Sequence, residues 1–120
     1  MSNPQRRKGT AAEAAVVAHL RNWWPEAERR ALHGSTDKGD VILPRDIDLT
    51  IEIKNQRTYN FPAWFKQMQI EQANANTTRG LLVVKPNGIG VSQVGSWWAL
   101  RNKWLLGHLG LFWHLWVFRH

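Results

Sequence analysis

The chain contains no cysteine. Disulfide staples and thiolate metal sites are therefore excluded, and any bound metal must be held by carboxylate, carbonyl, imidazole or water. Acid is scarce as well: nine Asp and Glu stand against sixteen Lys and Arg, a formal charge of +7, and no acidic residue follows Glu71. Long apolar runs are missing too, so no segment reads as a membrane helix. Residues 9–20 are alanine-rich but carry Glu13 and His19, which is unlike the apolar centre of an export signal. The expected location is cytoplasmic, with no membrane partner. Residues 104–118 hold Trp104, Phe112, Trp113, Trp116 and Phe118, yet Gly107 and Gly110 interrupt any continuous helix, so packing on the core or on a second copy is expected there.

What is present is 120 residues, 43% hydrophobic and 21% charged. That is the size and composition of one globular domain, able to bury roughly two thirds of its unfolded surface. No repeat or linker divides it. The reading is a single domain over 1–120, with its core at about 8–95 and a Trp-rich segment at about 96–120.

The few acids are unevenly placed. Asp37, Asp40, Asp46, Asp48 and Glu52 account for five of the nine and fall within sixteen positions. A basic body attracts a polyanion through counterion release and steering. An acidic knot inside it repels that polyanion unless something positive lies between them. A divalent cation meets the requirement, which favours a metal-dependent nuclease over a simple binder.

Pattern places the elements. A helix is expected over residues 10–24, ended by Pro25, with Thr10 and Glu13 at capping-box spacing. A short strand follows over 28–32, then a polar loop to Gly39. A strand over 40–43 turns at Pro44-Arg45-Asp46 into residues 47–54, where Ile47, Leu49, Ile51 and Ile53 alternate with Asp48, Thr50, Glu52 and Lys54. Glu52 and Lys54 thus share a face, and the hairpin brings Asp40 toward Glu52. Pro62 opens a second helix running to about Ala75, residues 80–84 read as a buried strand, residues 91–94 as another, and a third helix is expected over 96–106.

The order helix with internal glutamate, strand, Gly39-Asp40, strand with Glu52-Ile53-Lys54-Asn55, helix with Glu71-Gln72-Ala73-Asn74-Ala75, strand resembles the PD-(D/E)xK nuclease superfamily, and within it the small phage-type Holliday junction resolvase-like endonucleases. Lys8-Gly9-Thr10, Glu28-Arg29-Arg30 and Lys38 belong to the same resemblance, which spans about residues 8–85. Gly39 stands where the superfamily's name has proline, and the Trp-rich C-terminus has no counterpart.

The resemblance implies an α/β, restriction-endonuclease-like core with a central mixed sheet flanked by helices. It also implies a Mg²⁺- or Mn²⁺-dependent endodeoxyribonuclease that acts on branched DNA in recombination or repair. For a phage-encoded protein the compartment would be the host cytoplasm. Asp40, Glu52 and the Ile53 carbonyl would hold the metal, a hard-oxygen set suited to these ions. Glu13 would complete the shell, although three residues after Thr10 it is equally a helix-capping partner. Lys54 would orient the attacking water and stabilise phosphate charge, and Gln72 is a supporting candidate. Phosphate contacts are expected from Arg6, Arg7, Lys8, Arg29, Arg30, Lys38, Arg57 and Lys66, and base stacking from Tyr59 or Phe61. Symmetric cutting of a four-way junction calls for a homodimer. The rivals are a nicking or flap endonuclease with the same site, and a non-catalytic DNA-binding protein whose acids balance charge.

Overall fold

A computed structural model of the chain describes residues 4–31 and 36–101, with the side chains of residues 4–7 outside the description. The Trp-rich stretch beyond Arg101, His33, and the Arg6 and Arg7 side chains therefore lie outside the described residues. The described part is an α/β arrangement in which a mixed three-stranded sheet is flanked by helices on both faces.

Helix α1 spans Pro4–Leu20. Ala12, Val16 and Leu20, spaced by four, form its fully buried stripe, with Val17 beside it. It begins six residues before Thr10, so Thr10 is internal and the capping-box role expected for Glu13 does not arise. Its end precedes Pro25 by a turn in which the Trp23 and Trp24 amides still donate to the Leu20 carbonyl. Strands β1 (Glu28–Arg29) and β2 (Val41–Ile42) pair antiparallel.

Strand β3 (Thr50–Lys54) leads into α2 (Phe61–Ala75) and then β4 (Gly80–Val84), which pairs parallel to β3 with Thr50 beside Gly80 and Lys54 beside Val84. Parallel neighbours require a crossover of this kind. Asn60 caps α2 by accepting from the Ala63 amide, with Pro62 in its first turn. Residues 80–84 are the strand expected of them. Residues 91–94 are not a strand: Val91–Ser96 forms a 3₁₀ helix, and Trp98–Arg101 forms β5, antiparallel to β4, where a helix was expected. Trp97 decides this. Its fully buried indole donates to the Gly90 carbonyl, which fixes the turn and leaves Ala99 and Leu100 to alternate across the sheet.

The two faces of the sheet have separate cores. Ile51, Ile53, Leu81, Val83 and Ala99 pack with α1 and Trp97, while Leu82, Val84, Trp98 and Leu100 pack with Trp64 and Met68 of α2. With both faces covered, β3 is buried at Thr50, Ile51, Glu52 and Ile53 alike. The polar face that the alternation predicts for β3 is thus enclosed by α2. Tyr59 and Phe61, expected as base-stacking candidates, pack edge-on to Trp64, and the Tyr59 ring also meets Trp98.

Candidate metal centre

Strand β3 and helix α2 run side by side with matched spacing. Two residues along a strand cover about 6.6 Å and four along a helix about 6 Å. Lys54 and Glu52 therefore meet Gln67 and Glu71 in turn. Lys54 Nζ donates to Gln67 Oε1 at 3.1 Å, and Gln67 Nε2 donates to Glu71 Oε2 at 3.3 Å. Lys54 Nζ also lies 3.7 Å from Glu52 Oε2, so a cation and a carboxylate share the site.

Asp40 reaches the same point from the other direction. Its amide donates to the Ile51 carbonyl at 2.9 Å, its own carbonyl accepts from the Arg30 amide at 2.8 Å, and its Oδ2 accepts from the Ile53 amide at 2.7 Å. No ladder forms between β2 and β3, yet these bonds hold Asp40 beside Glu52 as the predicted hairpin would have done. Gly39 makes the approach possible. It has φ of +94°, and a Cβ there would stand 2.9 Å from the Ile51 carbonyl oxygen. Proline, fixed near −65°, cannot take this conformation, which accounts physically for glycine at the position before Asp40.

Asp37 and Glu71, which were not predicted as site residues, complete the cluster. Asp37 Oδ1 accepts from the Gly39 amide, and its carbonyl accepts from Asn74 Nδ2 of α2. Ligating oxygens of Asp37, Glu52 and Glu71 lie within 4.8 Å of one another. Glu71 is the last acid of the chain and sits four residues after Gln67, a polar i,i+4 pair on a helix whose buried apolar residues are Trp64 and Met68. That spacing was the available signal.

The electrostatics follow from burial. Glu52 is 3% exposed and Glu71 1% exposed. Burial, then the neighbouring Glu52 carboxyl, push Asp40 up to about 9. Burial and the Glu71 carboxyl push Glu52 up to about 7, opposed by the hydrogen bond with Asp40 and then by Lys54. Burial and the Asp37 carboxyl push Glu71 up to about 8. Carboxyls this close cannot all ionise in a low-dielectric site without a compensating positive charge. Glu71 Oε1, moreover, is buried with no hydrogen-bond partner. An unsatisfied buried oxygen among crowded carboxyls, with no nitrogen or sulfur donor in the set, fits a hard divalent cation.

No family model, curated protein or solved structure matches this chain.

The remaining candidates are placed as follows. Glu13 bonds Arg29 Nε at 3.3 Å, and burial and then Asp40 raise its proton affinity against that pairing, so it borders the cluster from α1. Gln72 is buried at the far end of the sheet, its Oε1 2.5 Å from where a Gly80 Cβ would be. Gly80 pairs with Thr50, four strand residues or about 13 Å from Lys54. Lys54 is contacted by Gln67 rather than by Gln72, the supporting candidate. Asp48 holds the amide and hydroxyl of Thr78 and is remote from the cluster. Two grooves flank the carboxyls. One of about 880 Å³ is lined by Lys8, Lys54, Asn55, Arg57 and Thr58, and one of about 510 Å³ by Arg29, Arg30, Lys38 and Asp40. Lys66 is exposed on α2. Among the described residues no helix is long and apolar enough to cross a membrane.

Proposed function

We propose that the chain is a metal-dependent DNA endonuclease with a restriction-endonuclease-like core, acting on branched DNA such as a four-way junction. The observation that carries this reading is the row of half-buried Asp40 and buried Glu52 and Glu71 with Lys54 at its edge, set between two cation-lined grooves. Asp40, Glu52 and the Ile53 carbonyl are the groups that would hold Mg²⁺ or Mn²⁺. When bound, the ion supplies Lewis-acid polarisation of a phosphodiester oxygen and a water of lowered pKa.

The chain's own groups do the rest. Lys54, held by Gln67, presents an ammonium that orients water and stabilises charge on the phosphate. Arg57 and Lys8 on one side, and Arg30 and Lys38 on the other, draw the two arms of the backbone across the carboxyls. Hydrolysis in this geometry leaves a 5′ phosphate and a 3′ hydroxyl. Paired cuts in a junction require two copies of the chain.

Incubation with a synthetic four-way junction and a matched linear duplex, with and without Mg²⁺, tests the reading. Paired symmetric nicks confined to the junction are expected. Equal cutting of both substrates would establish the nicking or flap endonuclease, and binding without cutting would establish the non-catalytic rival.

A further inference from the structure

We propose that Asn87 is a positioning residue for DNA: it bolts the turn over residues 86–89 to the loop between β3 and α2, and so fixes Arg57 against a backbone phosphate beside the scissile one. The proposal rests on the nuclease reading above and adds the part that holds its larger groove in shape.

The loop needs such a part. Residues 55–60 form neither helix nor strand, so nothing within them sets where Arg57 stands. Arg57 follows Lys54 by three residues, at most about 11 Å of chain, which puts it in range of a phosphate flanking the one at the carboxyls. The groove of about 880 Å³ that both line also takes in Lys8, and no acidic residue among the described residues lines it. Ordering a long side chain only when DNA arrives lowers affinity. Bonds from outside the loop order it beforehand. Asn55 Nδ2 donates to the Lys8 carbonyl of α1 at 3.3 Å. From the other side, Asn87 Nδ2 donates to the Arg57 carbonyl at 2.8 Å, and the Asn87 amide donates to the Tyr59 hydroxyl, also at 2.8 Å. One residue thus grips the loop on either side of Thr58 through two separate donors.

Both halves of the clamp are themselves held. The Tyr59 ring lies 5.8 Å from Phe61, 6.3 Å from Trp64 and 5.4 Å from Trp98, centroid to centroid, so its hydroxyl is a fixed post. The turn leaves β4 where the Lys85 amide donates to the Lys54 carbonyl at 2.9 Å, and it closes with the Ile89 amide on the Pro86 carbonyl at 3.2 Å. Gly88 takes the φ of +87° that the third position of such a turn requires. A Cβ there would meet nothing within 4 Å, so the tip stands clear of the protein. Asn87 itself is exposed, yet its bonds reach residues 28 and 30 positions away. An exposed asparagine used in this way joins two loops that apolar packing does not join.

The test is binding of the intact chain to a synthetic four-way junction in Ca²⁺, followed by fluorescence anisotropy over a salt series, for wild type, Arg57→Ala, Asn87→Ala and the double variant. Arg57→Ala should weaken binding and reduce the salt slope of log K by about one. Asn87→Ala removes no charge and should still weaken binding by about twofold to tenfold. In that background Arg57→Ala should cost less than half the fold-change in Kd that it costs in wild type, a coupling that a merely structural role for Asn87 would not produce. Tyr59→Phe keeps the ring and removes the acceptor, should act in the same direction, and carries the test if Asn87→Ala loses the wild-type circular dichroism. Equal costs of Arg57→Ala in the two backgrounds, or no cost in wild type, would overturn the clamp and leave the nuclease reading to its cleavage assay. The expected coupling without Mg²⁺-dependent cleavage would keep the clamp and end the nuclease reading. No DNA binding by wild type would overturn both.

Discussion

Raising the pH of the cation-free protein should destabilise it, and Mg²⁺ should reverse the loss. In the unfolded chain the carboxyls of Asp40, Glu52 and Glu71 ionise at their ordinary values near 4. The fold holds their protons to about 9, about 7 and about 8. Over the interval between, the native state carries more protons than the unfolded state, so stability falls as pH rises. Each proton retained costs about 1.4 kcal/mol per pH unit. Three acting independently would exceed the roughly 5–15 kcal/mol that holds a domain together, but side chains in mutual contact share protons. About one shared proton carried from pH 5 to pH 8 gives ~4 kcal/mol, trimmed to ~2–3 kcal/mol by solvent at the partly open Asp40. A domain of this size shifts by about 4 °C per kcal/mol, so Tm in EDTA should drop by roughly 10 °C across that range.

Thermal melts followed by circular dichroism, with EDTA or excess Mg²⁺, measure this drop. The Glu52→Gln variant separates the cluster from the charge of the whole molecule, and its curve should be flatter than wild type. Excess Mg²⁺ should recover most of the loss, because an ion that binds only the ionised native cluster stabilises by mass action. A wild-type Tm that is level or rising with pH in EDTA, parallel to that of Glu52→Gln, would refute the reasoning.

Lys54→Ala should lower Mg²⁺-dependent cleavage by about 10²–10³-fold while leaving DNA binding in Ca²⁺ intact, as gel shift and single-turnover rates would report. Gly39→Ala forces a Cβ to 2.9 Å from the Ile51 carbonyl at positive φ, so a loss of about 1–3 kcal/mol in urea titration is expected, together with weaker Mn²⁺ binding as Asp40 is displaced. Trp97→Ala removes a fully buried indole and its bond to Gly90, and should cost about 3–5 kcal/mol in the same titration. Arg57→Ala and Lys8→Ala should each weaken DNA binding and reduce the salt slope of log K by about one.

How much of this was legible in the sequence depended on how local the cause was. Residues 61–75 and 80–84 were readable because Pro62 marks a helix start and an unbroken apolar run marks a covered strand. Glu52 and Lys54 were readable because strand alternation alone puts them on one face. Residues 96–101 were misread because the indole of Trp97, a tertiary contact, sets the backbone there. The first helix was begun late because an internal threonine and glutamate mimic a cap. Gln67 and Glu71 share one helix stripe by spacing alone, but its role was not legible, because only the docking of α2 on the sheet turns that polar edge toward Lys54 and Glu52. Asp37 was not legible as a site residue, since nothing in a linear pattern says that Asn74 draws that loop to the carboxyls.

The most direct measurement is cleavage of end-labelled branched DNA by wild type and by Glu52→Gln, each with Mg²⁺ and each in EDTA. Cutting by wild type that requires Mg²⁺ and vanishes in Glu52→Gln, with DNA binding preserved in both, is the predicted result. Equal cutting by the two proteins, or none by wild type with any divalent cation, would contradict the assignment of this carboxylate cluster as a nuclease centre.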